Sequence, residues 1–140
     1  MQNMKKNKKE QTTNNPGRII HKKAEIDGYI FDSKLEANRY KYLKHLQEQG
    51  IITKLAIHPA YELQAKFTDN EGVFQRAITY VADFEYFKDN FKIVEDVKSD
   101  FTAKNETFKI KKKLFKKRYP KIIFRIVLFD NKTKQWKETI

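Results

Sequence analysis

ITYVADFEYFKDNFKIVEDVKS, residues 78–99, decides how the rest of the chain is read. Alternation puts Ile78, Tyr80, Ala82, Phe84 and Tyr86 on one face of a first strand, with Val81, Asp83 and Glu85 on the other. In a second strand Val94, Asp96 and Lys98 share a face, and Phe91, Ile93, Glu95 and Val97 share the opposite one. Pairing the two as an antiparallel hairpin through Lys88-Asp89-Asn90 brings Asp83 together with Asp96 and Lys98. Charges on half-buried strand faces are costly unless they pair with each other or hold a metal.

Working outward from the hairpin, the chain reads as one domain. Downstream, a helix is expected from Ala103 to Tyr119, ended by Pro120, then a strand buried on both faces from Ile122 to Phe129. Lys134 to Thr139 adds a short edge strand around Trp136. Upstream, Ile51 to Phe67 reads as a strand interrupted at His58-Pro59. Ser33 to Gln49 reads as a helix with Leu35, Tyr42, Leu43 and Leu46 on its apolar side. Asp27-Gly28 is a tight-hairpin signal between Ala24-Glu25-Ile26 and Tyr29-Ile30-Phe31. Residues 1–17 are polar and Lys-rich and are expected to form a disordered basic arm, with the folded domain at 18–140. Contact with phosphates and an inert solubilising tail are equal readings of that arm.

Composition narrows the partners. The net charge is +12, and residues 104–121 hold nine Lys/Arg against the single Glu106. Lys109, Lys112, Lys113, Lys116 and Lys117 fall at i, i+3, i+4, i+7 and i+8, one basic stripe along the second helix. Phe108, Phe115, Tyr119, Ile110 and Leu114 form its apolar side, where Lys111 and Arg118 also fall. Such a patch favours a polyanion, nucleic acid first, over a merely solvated face. With no cysteine, disulfides and thiolate metal sites are excluded. No apolar run reaches the ~20 residues of a membrane span, so no membrane partner and a cytoplasmic location are expected. His21, His45 and His58 show no ligand spacing, and the four glycines form no phosphate-cradling loop, so neither zinc nor a nucleotide cofactor is expected.

Asp83, Asp96 and Lys98, with Glu36 at the start of the first helix, resemble the signature of the restriction-endonuclease-like PD-(D/E)XK nuclease superfamily. The order helix, three strands, helix, strand matches as well, over about residues 24–130. Within that superfamily Asp27-Gly28-Tyr29, Phe31 to Ala37, Ala82-Asp83-Phe84 and Val94 to Ser99 resemble a small phage-encoded family. That family is known mainly as a domain of unknown function, in part as endonucleases or Holliday junction resolvases. The resemblance implies an α/β domain whose mixed central sheet is flanked by helices and preceded by a small hairpin. It implies a Mg²⁺ site, with Mn²⁺ able to substitute, held by Asp83, Asp96, the Val97 carbonyl and Glu36, directly or through water. Lys98 would orient the attacking water, and Lys111 would touch phosphate.

Glu36 has a second reading, because Ser33-x-x-Glu36 is a capping box. Glu95 adjoins Asp96 but is expected to face away from the ion. Glu85 reads as either a supporting carboxylate or a solvated strand-end residue. The expected activity is a metal-dependent DNA endonuclease selective for branched DNA, in a bacterial host if phage-encoded, with a homodimer implied by paired nicks. The alternatives are a nicking or single-strand-processing nuclease and a non-catalytic basic DNA-binding protein.

Overall fold

A computed structural model describes residues 23–99 and 105–139. The arm at 1–17, and positions 103 and 104 at the expected start of the second helix, lie outside the described residues. The fold is α/β, with a mixed, mostly antiparallel sheet and two helices.

The chain opens with the hairpin of β1 (Ala24–Ile26) and β2 (Tyr29–Phe31). Its two-residue turn holds both Asp27 and Gly28 at positive φ, 54° and 80°, the conformation that makes Asp-Gly a hairpin signal. Tyr40 and Lys44 of α1 (Lys34–Glu48) reach back to the Asp27 carboxylate at 2.9 and 2.6 Å and tie the turn to the helix. The buried side of α1 is Ala37, Tyr40 and Leu43, with Leu46 packed beside it. Tyr42, expected inside, is exposed and lies across Arg39 instead.

Five strands form the main sheet in the order β11-β10-β9-β8-β3. They are β3 (Thr53–Ile57), β8 (Phe84–Lys88), β9 (Phe91–Val97), β10 (Ile123–Asp130) and β11 (Gln135–Thr139). Only β9 and β10 run parallel. The expected hairpin β8–β9 is present, its turn held by Asp89 and Asn90 at φ 51° and 67°. No residue of β10 is fully exposed, but only Phe124 and Val127 are buried, so the expected burial along both faces is met at those two positions.

Two expected strands are not single strands. Ile51 to Phe67 divides into β3, β4 (Ala60–Gln64) and β5 (Phe67–Thr68), and residues 78–86 divide into β7 (Ile78–Val81) and β8. β4 pairs with β7, and β5 with β6 (Phe74–Gln75), outside the main sheet. The cause is a shared kink. His58 takes a positive φ of 52° before Pro59, which lacks a backbone donor, and Ala82-Asp83 lies opposite. Two backbone hydrogen bonds, His58 N–H to the Asp83 carbonyl and Ala82 N–H to the Pro59 carbonyl, each 3.0 Å, carry the pairing across the bend. One antiparallel ribbon therefore leaves the sheet at the kink and folds over α2 (Glu106–Arg118).

Each face of the sheet has its own core. Phe84, Tyr86 and Ile93 pack with Phe31, Ala37, Tyr40 and Leu43 under α1. Val94 and Phe124 pack with Phe108 and Phe115 of α2 and with Tyr61, Leu63 and Tyr80 of the ribbon. Ile110, expected on the buried side of α2, is exposed. Arg118, also expected there, is exposed and pairs with Glu62 at 3.1 Å, which fastens the helix to the ribbon. Burying seven side chains larger than alanine in each layer, at roughly 1.5–3 kcal/mol apiece, is what holds helices and ribbon in place.

Candidate active site

The kink, the end of β9 and the start of α1 meet at one cleft. Phe84 pairs with Glu95 at the end of the hairpin, and just beyond it the Asp83 and Asp96 carboxyl groups come within hydrogen-bonding reach. Asp83 continues the ladder with its backbone N–H to the Glu95 carbonyl at 3.2 Å. Its side-chain oxygen accepts the Val97 N–H at 2.7 Å, so a carboxylate replaces the carbonyl that the kink has turned away. Asp32, Ser33, Leu35, Glu36, Asp83, Val97, Lys98 and Ser99 line a cleft of about 240 Å³.

Glu36 caps the helix and also lines the cleft. Ser33 Oγ accepts the Glu36 N–H at 3.2 Å, as a cap should. The Glu36 carboxylate returns the bond to Asp32 N–H, one residue before the cap, at 3.1 Å. That leaves Oε1 facing His58 Nε2 at 3.3 Å inside the site. Glu36 is buried, and it sits within hydrogen-bonding reach of Asp83.

Asp96 is buried on the α2 side of the same strand. It accepts a hydrogen bond from Tyr80 and pairs with Lys98 at 3.3 Å. Lys98 in turn lies over the Phe108 ring, 4.1 Å from its centroid, which fixes the ammonium between the two layers. A second groove of about 320 Å³ begins here, lined among others by Asp96, Lys98, Asn105 and Lys111. Burial and the adjacent Asp96 push the Tyr80 phenol well above its ordinary range, so it remains a donor.

The electrostatics are those of a site short of positive charge. Asp83 is pushed far above the usual carboxylate range by burial, then by hydrogen bonding to Glu36 and by the charge of Asp96. Three carboxyl groups this close keep a proton among them unless a cation supplies the missing charge. Lys98 is the one ammonium paired inside the cluster among the described residues. Oxygen donors converging in this way fit a hard divalent ion.

Glu36, Asp83, Asp96 and Lys98 are thus brought together as expected. The structure also adds His58, read in the sequence as half of a strand break and as a histidine without ligand spacing. Glu36, His58 and Asp83 each offer a ligand atom within 4.8 Å of the others. The flanking acids are otherwise engaged. Glu95 points into the α1 layer, where Arg39 holds it at 2.7 and 2.8 Å and Tyr86 at 2.9 Å. Glu85 takes a hydrogen bond from Tyr61 and an ion pair with Lys92. Among the stripe lysines Lys109, Lys113, Lys116 and Lys117 are exposed, whereas Lys112 leans over Phe124 at 5.9 Å. Lys111, expected on the buried side, is half-buried and donates to the Thr79 carbonyl at 3.1 Å, so it borders the second groove.

No helix among the described residues is long and apolar enough to cross a membrane. Residues 18–135 match the family model described as Protein of unknown function (DUF1064), and the chain belongs to that family. No curated protein and no solved structure matches the chain.

Proposed function

We propose that this DUF1064 chain is a divalent-metal-dependent nuclease that hydrolyses phosphodiester bonds in DNA, with the restriction-endonuclease-like core suggested by its strand and helix order. The observation that carries the reading is Asp83 within hydrogen-bonding reach of both Glu36 and Asp96, with Lys98 paired to Asp96 and lining one cleft with Glu36 and Asp83. Asp83, Asp96 and Glu36 would hold the ion, and the Val97 carbonyl offers a further oxygen. A divalent ion bound there supplies Lewis acidity to the phosphate and lowers the pKa of its water. Lys98, fixed by Asp96 and the Phe108 ring, stands ready to orient that water and offset phosphate charge. Tyr80 holds the Asp96 carboxylate in one rotamer. Glu36 is held by the first turn of α1 and so needs no reorganisation to ligate.

The stripe Lys109, Lys113, Lys116 and Lys117 lies on the helix that also borders the groove at Asp96. Contact between these lysines and the DNA backbone would give affinity without sequence choice. Among the described residues no element beyond the two helices and the sheets is left to read a long site, which favours recognition of branched DNA, cut by a homodimer.

A cleavage assay on a four-way junction beside its linear duplex, with and without Mg²⁺, tests the reading. Cleavage should require the ion and should favour the junction. Asp96→Asn should slow cleavage by at least about a hundredfold, since the ion contributes several kcal/mol to the transition state. Wild-type rates in Asp96→Asn would remove the catalytic assignment and leave a DNA-binding protein.

A further inference from the structure

We infer that His58 is a direct metal ligand, and that its imidazole makes the site choose a first-row transition ion over Mg²⁺. The inference rests on the metal-dependent reading above and specifies the ion.

The geometry is that of a coordination shell. Ligand atoms about 2.1 Å from one octahedral ion lie about 3.0 Å apart when adjacent and about 4.2 Å when opposite. His58 Nε2 and Glu36 Oε1 are 3.3 Å apart, and both lie within 4.8 Å of an Asp83 oxygen. The three come from separate elements: the first turn of α1, and the two strands of the ribbon at its kink. Backbone hydrogen bonds lock His58 and Asp83 to each other across that kink, so their side chains are presented as a pair. Phe31 backs the imidazole, its ring centroid 6.1 Å away.

An ion pair between His58 and Glu36 alone is the simpler account, but it does not explain the Asp83 oxygen that lies within 4.8 Å of both. A divalent cation shared by the three explains all of them, with the His58 imidazole as a nitrogen donor beside the carboxylate oxygens. Carboxylates alone suit Mg²⁺, which prefers an all-oxygen octahedron and binds imidazole poorly. Nitrogen donors favour the transition series, in which Mn²⁺ is the weakest binder and so the most demanding probe.

The test uses Mn²⁺ on the full chain without a tag. Pulsed electron paramagnetic resonance should show a directly bound ¹⁴N, replaced by ¹⁵N coupling when the histidines alone are ¹⁵N-labelled. His58→Asn should abolish that coupling, since Asn tolerates the positive φ and offers an amide oxygen instead. Calorimetry should show the Mn²⁺-over-Mg²⁺ preference falling by about tenfold or more in the same variant. If Mn²⁺ binds, is lost in Asp83→Asn, yet shows no bound nitrogen, the His58 assignment is overturned and the metal reading stands. If Asp83→Asn does not affect Mn²⁺ binding, both fall.

Discussion

Arg39 is fully buried, and so is the Glu95 it grips with two hydrogen bonds. Glu138 at 3.0 Å and the rings of Tyr42 and Trp136 lie around it, while Nη1 has no hydrogen-bond partner among the described residues. Removing one charge of such a pair strands the other away from water. Glu95→Gln should therefore cost about 3–5 kcal/mol, and Arg39→Met with Glu95→Leu together should cost less than either change alone. Denaturant unfolding of Glu95→Gln, of the double variant and of its two single changes checks the order. Asp130 makes a different prediction, at the surface turn before β11. A hydrogen bond from Lys137, then the backbone N–H groups of Lys132 and Thr133, lower its pKa to about 2. Its contribution to stability is present above the unfolded value of about 4 and is lost as pH falls toward 2. An NMR titration should place the Asp130 midpoint near 2 and move it up in Lys137→Ala; a folded-state midpoint near 4 would mean the contact is absent in solution. Residues of this kind were the least legible in the sequence. Arg39 and Glu95 each look like solvated charges until α1 and β9 are stacked, and His58 carries no spacing that links it to Glu36.

At the scale of elements, local chemistry could be read directly. Asp-Gly announced the first hairpin, and Ser33 with Glu36 announced the start of α1. The hairpin β8–β9 followed from alternation on both sides of Asp89-Asn90. Its turn holds two non-glycine residues at positive φ. Asn90→Gly should raise stability by up to about 1 kcal/mol, because glycine takes that conformation without strain. Thermal unfolding measures it, and a lowered midpoint would contradict the turn geometry. The kink was not legible. Tyr80, Ala82, Phe84 and Tyr86 are all buried, so the period of two runs unbroken through the bend. Periodicity reports that a residue is inside but not which layer covers it, and here the cover changes between Ala82 and Phe84. The clue was His58-Pro59, whose effect falls on the partner strand as well as its own.

For the whole molecule, charge segregation is the feature on which the proposed contact with a polyanion rests. Lys113 and Lys116 are exposed, whereas Lys112 is desolvated against Phe124, which lowers its pKa. Reversing Lys113 and Lys116 to Glu should weaken binding to every duplex sequence alike and reduce the slope of log affinity against log salt by roughly two. A loss limited to one sequence would contradict backbone contact. The alternation along β9 has a last consequence. Glu95 anchors one layer and Asp96 is held by Tyr80 and Lys98 in the other, as immediate neighbours. An off-by-one insertion between Val94 and Glu95 would turn each acid to the opposite face and carry it one position along the strand, so Arg39 would lose Glu95 and keep only Glu138, and Tyr80 and Lys98 would lose Asp96. Lengthening β9 by a single residue should therefore be worse than replacing any one of its side chains, because it damages the anchor and the chemistry in one stroke.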